Sequence, residues 1–319
     1  MSTVCDSKTL YLGVDPATSS IITSESPTLW TIRLIKVPVL NVHGLDLHRS
    51  YAWQEYVVPI DAAPAVDRQR VFVLRVLRAL KGVGAFYIVG HTLSSTLFQS
   101  CQQCLGGMPY KDDSVDGTDA TYKVNYTLMS TLSPKPDDVL VAKMYATLGI
   151  PRTDFEALAK EHLDSVEDVS NGLLHAMAAA HTLADPDAAA TITAYRGTWR
   201  DGEQSLGLRV PAYHPGPKLN AAGATLRTTA RHTDSTWLTL LANDDVGGLH
   251  IHTTAGDVAV LPPVAGALLV NTGNLMKVAT DGFFDAVCHW VDRTDETDSK
   301  TRISMPFFYD RKGGQTGGC

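Results

Sequence analysis

The sequence predicts an α+β protein whose helices come first and whose strands come last. Three observations carry that expectation. Residues 67–84, DRQRVFVLRVLRALKGVG, repeat apolar side chains at helical spacing, with Val71, Leu74, Leu77 and Leu80 on one face. Residues 152–183 read as a longer helix through FEALAKEHL and the apolar run GLLHAMAAAHTL. From Ser205 onward, eight short apolar runs follow one another, separated by Gly, Asn, Asp and Pro. Short strands at such spacing indicate a sandwich or a barrel.

In chain order, residues 1–30 are rich in Ser, Thr and Pro and read as an N-terminal extension. RLIKVPVLNV (33–42) alternates as a strand. The helix over 67–84 stops at Gly82 and Gly84, and AFYIVGH (85–91) reads as a short buried strand. Residues 99–136 are rich in Gly, Asp and Ser and are expected to be mostly loop. Helices follow near 136–148 and over 152–183, then a short helix or connector in DPDAAATITAY. The eight strand-like runs are LGLRVPAY, ATLRTTA, WLTLLA, GLHIHT, DVAVLP, ALLVNTG, DAVCHWV and RISMPFFYD. The expected division is an extension (1–30), a mostly helical part (31–200), a β-rich part carrying the chemistry (201–310) and a flexible tail (311–319). No internal repeat is visible.

Hydrophobic residues make up 44% and charged residues 19% of the 319 positions, as in globular proteins with a sizeable core. A net charge of -7 leaves no basic footprint for nucleic acid or an anionic membrane, so a small-molecule partner is expected. No signal-peptide pattern opens the chain and no apolar run is long enough to span a bilayer. Five cysteines, an odd and scattered set, point to a reducing compartment rather than a disulfide framework, and the cytoplasm is the expected location. Cys101 and Cys104 form an isolated CQQC, read as two ordinary thiols.

RHTDSTWLTLL places His232 and Asp234 at i and i+2, and on a strand both would face one cavity with Thr233 turned away. His289 in DAVCHWV is the best third ligand. Two histidines and a carboxylate on one face of an octahedron leave three positions open, which suits Fe(II) and oxygen chemistry. Arg302 and Ser304, again at i and i+2, offer a guanidinium and a hydroxyl to a carboxylate. A 2-oxo acid could chelate the metal at one end and reach this pair with the other. His250 and His252 in GLHIHT are a rival metal pair but have no carboxylate at matching spacing. His91, His175, His181 and His214 stand alone and read as structural.

The segments RHTDSTWLTLL, GGLHIHTTAGDVAVLPP, GALLVNTGNLMKVATDGFF, AVCHWV and RISMPFFYD together resemble the catalytic half of the isopenicillin N synthase-like family of non-haem Fe(II) and 2-oxoglutarate-dependent dioxygenases. VPVLNV and LKGVGAFYIVGHTL extend the likeness upstream. The resemblance implies a double-stranded β-helix (jelly roll) core flanked by N-terminal helices. It implies His232, Asp234 and His289 as iron ligands, Arg302 and Ser304 as the carboxylate-binding pair, and Tyr213 beside the cosubstrate. It also implies Fe(II), 2-oxoglutarate and O2 as the chemistry's components, with hydroxylation, desaturation or ring closure of a biosynthetic small molecule as outcomes. The chain departs from the family where an asparagine is common and Pro211 stands, where an aspartate is common and Asn274 stands, and where DVAVLPP lacks the usual tryptophan. The interval from His289 to Arg302 also runs about two residues longer than usual in the family.

Within the same family, isopenicillin N synthase and ethylene-forming oxidases keep the ligands and the Arg/Ser pair without using 2-oxoglutarate. The alternative reading is therefore an Fe(II) oxidase that cyclises an amino-acid or peptide substrate. A jelly-roll binding protein without catalysis is the remote one. Pocket walls are expected from the strands near Leu240, Val270 to Asn274 and Phe307, and a lid from the loop 106–123.

Overall fold

The computed structural model describes residues 12–15, 20–23, 38–41, 68–106, 123–130, 135–185, 204–215, 227–254, 256–294, 299–311 and 317–318. Within the N-terminal extension, β1 (Leu12–Asp15) and β2 (Ser20–Thr23) pair antiparallel in a sheet of their own. β3 (Val39–Asn41) is the described part of the VPVLNV strand and runs parallel to β4 (Ala85–Val89). Between them lies α1 (Arg68–Gly82). Gly84, at φ 86°, turns the chain from that helix into β4, and a Cβ there would stand 2.6 Å from Val287 Cγ2.

The segment expected to be mostly loop holds most of α2 (Thr96–Leu105) and all of β5 (Lys123–Ser130). The polar composition of 99–136 hid both. In α2 the apolar stripe is Leu97, Cys101, Cys104 and Leu105, all buried, so the two thiols act as small hydrophobes. Burial pushes the Cys101 thiol up, which leaves it inert. Cys101 and Cys104 are free, whereas Cys288 is disulfide-bonded. In β5 the period is two, with Tyr126 and Leu128 inward and Lys123 on the opposite face. Residues 107–122, most of the expected lid, and 186–195 lie outside the described residues.

α3 (Asp138–Leu148) starts on Asp137, whose carboxylate accepts from Val139 N at 2.8 Å and Leu140 N at 3.4 Å. It ends at Gly149 in the left-handed region, φ 68°. α4 (Arg152–Ala184) is the long helix expected over 152–183. Among the described residues no helix is long and apolar enough to cross a membrane.

All eight strand-like runs are strands. They are β6 (Gln204–Tyr213), β7 (Arg227–Thr233), β8 (Leu238–Asn243), β9 (Leu249–His252), β10 (Val258–Leu261), β11 (Leu268–Thr272), β12 (His289–Asp292) and β13 (Arg302–Arg311). A short helix, α5 (Asn274–Ala279), follows β11. The tail expected to be flexible adds β14 (Gly317–Gly318) on the open edge of β7. The strands form a seven-stranded sheet, β3-β4-β11-β8-β13-β6-β5, and a five-stranded sheet, β10-β9-β12-β7-β14. Four of the eight runs lie in each sheet and the chain crosses between sheets repeatedly, the connectivity of a jelly roll.

Alternation along each major-sheet strand splits the apolar side chains between two cores. Leu208, Val210, Leu240, Val270, Ile303, Met305, Phe307 and Tyr309 pack with α1 to α4. Tyr87, Tyr213, Ile251, Leu261, Leu269 and Val291 fill the space between the sheets. On the strands expected to wall the pocket, Leu240, Val270 and Phe307 face the helices, while their neighbours Leu241 and Leu269 face the sandwich interior. Pro211 and Pro306 sit inside central strands. The β13–β6 pairing jumps from Ile303↔Ala212 to Phe307↔Leu208 across them, because neither proline has an N–H for the ladder.

Candidate metal centre

His232 and His289 are direct cross-strand partners on β7 and β12. Their rings lie 4.3 Å apart between centroids. Asp234 is not on the strand, as expected, but one residue beyond its end, at the start of a bend that leads into β8. The alternation of side chains survives the first step of that bend. Asp234 Oδ1 therefore stands 3.7 Å from His232 Nε2 and 3.7 Å from His289 Nε2. One ligand atom from each of the three residues lies within 4.8 Å of the others.

The remaining polar atoms of these side chains are already engaged. His232 Nδ1 is 2.9 Å from Ala230 O, and His289 Nδ1 is 3.0 Å from Val287 O. A carbonyl oxygen only accepts, so each Nδ1 carries the proton and each Nε2 presents a lone pair. Burial, reinforced by His289, holds the His232 imidazole below its ordinary pKa and so favours the neutral ring. Asp234 Oδ2 accepts from Thr239 Oγ1 at 2.7 Å and from Asn271 Nδ2 at 3.0 Å. Two neutral imidazole nitrogens and one carboxylate oxygen, all aimed at one point, fit a single divalent ion of the first transition row. The Asp234 side chain is 4% exposed while the histidines are 34% and 17% exposed, so the cluster opens on the histidine side.

Thr239 and Asn271 escaped the sequence reading. Asn271 left a usable signal, a lone amide inside the apolar LLVNT. Thr239 left none, since threonine is ordinary in a strand. Asn274 also braces the bend, donating from its side chain to Thr233 Oγ1 at 3.1 Å and from its backbone to Asp234 O at 2.8 Å.

Arg302 and Ser304 lie on the interior face of β13, opposite Ile303 and Met305. Arg302 Nη1 donates to Ser304 Oγ at 3.3 Å and Nη2 to Asn243 Oδ1 at 2.8 Å, while its Nε has no partner among the described residues. Tyr213 is beside them: the Arg302 guanidinium carbon is 4.9 Å from the centre of its ring. Burial pushes the Tyr213 phenol up, but Lys123, Arg302 and hydrogen bonds from Thr229 and Ser304 outweigh it, leaving it below its ordinary value. Lys123, which the sequence reading did not single out, stands 5.2 Å from the same ring.

His250 and His252 point away from this cluster, on the other side of β9 from Ile251. His250 stacks on Trp290 at 5.3 Å and 14°, and His252 packs against the same ring at 5.2 Å. His250 Nδ1 bonds Gly248 O at 2.9 Å. The rival pair is a packing feature of the outer face.

The family model for the 2OG-Fe(II) oxygenase superfamily matches residues 203–311, the span from β6 to β13. Feruloyl CoA ortho-hydroxylase 2 of Arabidopsis thaliana is 32% identical over 112 residues, 35% of this chain and 28% of that protein. A bi-functional coumaroyl CoA and feruloyl CoA ortho-hydroxylase of Ipomoea batatas is 30% identical over 155 residues, 48% of this chain and 39% of that protein. The matched part thus spans well under half the length of these relatives. Among solved structures, the dioxygenase for auxin oxidation 1 of Arabidopsis thaliana, in its binary complex with 2-oxoglutarate, superposes with a TM-score of 0.54 at 16% identity, covering 86% of this chain and 92% of that one. At that identity the likeness establishes the shared fold.

Proposed function

With residues 203–311 belonging to the 2OG-Fe(II) oxygenase superfamily, we propose that the protein is an Fe(II)-dependent dioxygenase that couples decarboxylation of 2-oxoglutarate to hydroxylation of a small organic molecule. The observation that carries this reading is the convergence of His232 Nε2, His289 Nε2 and Asp234 Oδ1 with every other polar atom of those side chains tied down. Hydroxylation is favoured over desaturation or ring closure because the relatives above are named as hydroxylases.

In this reading His232, Asp234 and His289 hold the metal. Bound there, Fe(II) supplies the activation of O2, with 2-oxoglutarate leaving as succinate and CO2. The chain's own part is positional. The Nδ1 bonds to Ala230 O and Val287 O lock both rings in the ligating tautomer. Thr239 and Asn271 hold Asp234 so that one carboxylate oxygen stays free. Arg302 and Ser304 receive the far carboxylate of the cosubstrate, with Arg302 pre-oriented by Asn243. Tyr213 walls the space between clamp and metal.

The test is the visible spectrum of the apoprotein mixed anaerobically with Fe(II) and 2-oxoglutarate. A weak metal-to-ligand charge-transfer band, lost in His232→Ala and weakened in Arg302→Ala, is the expected result. Iron binding without the band assigns Arg302 to a substrate carboxylate, the oxidase reading. No iron binding removes the metal centre altogether.

A further inference from the structure

Across three neighbouring strands of the major sheet, Arg302 of β13, Tyr213 of β6 and Lys123 of β5 are consecutive cross-strand partners. The tyrosine ring lies between two cations, with the Arg302 guanidinium carbon at 4.9 Å and Lys123 Nζ at 5.2 Å. Both cations reach the interior face, since the alternate residues Val124 and Tyr126 of β5 pack with the helices. Lys123 Nζ donates to Thr229 Oγ1 at 3.0 Å, and the Tyr213 hydroxyl lies 3.3 Å from that same oxygen. Thr229 is on β7, the strand that carries His232, so Lys123 bridges the two sheets between clamp and metal cluster.

Among the described residues, neither Lys123 nor Arg302 forms an ion pair. Asp244 is the carboxyl group that feels Arg302, but it stands beyond ion-pair reach, spends its oxygens on the backbone N–H groups of Ile303 and Val246, and is raised by burial to about 6. Two cations converging on one half-buried space, with no carboxylate of the described residues paired to either, repel each other, and an anion placed there relieves that cost. Pro211, two residues before Tyr213 on the same strand, contributes no donor of any kind. The polar groups at this point of the wall are therefore the Tyr213 hydroxyl of β6, Lys123 of β5 and Thr229 of β7.

We propose that Lys123 is a second anion-binding residue of the site, acting with Arg302 so that the space between clamp and metal cluster selects a dicarboxylate over a monocarboxylate. The role rests on the dioxygenase reading above and adds a residue to it. The ammonium supplies charge that the Tyr213–Thr229 hydroxyl pair cannot. It also ties β5, an edge strand of the major sheet, to binding of the cosubstrate.

The experiment is anaerobic titration of the Mn(II)-loaded protein with 2-oxoglutarate and, separately, with pyruvate, followed by tryptophan fluorescence or calorimetry. Lys123→Met should weaken 2-oxoglutarate by about ten- to a hundredfold, the loss of one charge-assisted contact. Its Mn(II) affinity should match wild type, its preference over pyruvate should shrink, and Lys123→Arg should restore most of the loss. Wild-type affinity for 2-oxoglutarate in Lys123→Met overturns the proposal. A parallel loss of Mn(II) affinity does so too, since the residue would then be structural. If the wild type binds Mn(II) but no 2-oxoglutarate, the dioxygenase reading itself fails and the Lys123 role falls with it, a result distinct from failure of the variant alone.

Discussion

Asp234 shows how much of the candidate metal centre is set by atoms behind the proposed ligands. Its Oδ2 takes two hydrogen bonds, from Thr239 and Asn271, and its side chain is nearly fully buried. Without those donors the carboxylate would rotate freely and its buried oxygen would go unpaired, at a cost of about 1–3 kcal/mol. Thr239→Val and Asn271→Ala are each expected to lower metal affinity by about ten- to a hundredfold while leaving the fold intact. Metal titration with circular dichroism as the folding control measures this, and unchanged affinity in both variants would refute the bracing role. The double variant should lose less than the sum, because both donors serve one oxygen.

At the level of elements, the bend between β7 and β8 is shaped by the turn leading into α5. Gly273 has an extended backbone, so its constraint is space rather than handedness: a Cβ would lie 2.4 Å from Thr236 O and 2.8 Å from Asp234 O. Gly273→Ala must push the bend and Asp234 with it. We expect a stability loss of about 1–3 kcal/mol together with weakened metal binding. Gly247→Ala, where a Cβ meets nothing within 4 Å, is the control and should change neither. Equal behaviour of the two variants in thermal melts and metal titration would refute the argument. The paired prolines of β6 and β13 make a related point. Pro211 and Pro306 fall in the same interval of the β13–β6 ladder, so the two missing N–H groups interrupt it once rather than twice.

For the molecule as a whole, the helices and the major sheet share one core, and α4 is joined to the segment after β4 through His162. Burial pushes the His162 imidazole down to about 4, against a bond to the Ser94 backbone that raises it, with His91 adding to the depression. An unfolded histidine titrates near 6.5, so between about 4 and 6.5 the unfolded chain binds the extra proton. The stabilisation from this residue is therefore full above about pH 6.5 and is lost as pH falls toward 4. Asp244 works in the opposite direction, since burial raises its carboxyl to about 6 and stability grows as it is protonated. Comparing variants separates the two. The melting-temperature gap between wild type and His162→Gln should change steadily from pH 7 to pH 4.5, turning in the variant's favour, and a constant gap would exclude His162 as the source.

The sequence by itself determined the eight strands and the two long helices, and it marked His232, Asp234, Arg302 and Ser304 as candidate pairs, with His289 as the best third ligand. It could do so because period-two alternation and i, i+2 spacing are local properties that survive folding unchanged. The short elements of 99–136 were hidden because a polar composition masks a helix whose buried stripe is partly cysteine. Only the tertiary structure decided which face of each strand meets which layer. That choice sent Leu240, Val270 and Phe307 to the helices, turned His250 and His252 outward onto Trp290, and brought Thr239 and Asn271 behind Asp234. It also set Lys123 beside Tyr213 and Arg302, residues far apart in the chain that only strand register makes neighbours. Register depends on how two sheets close over a shared core, and no local spacing encodes it.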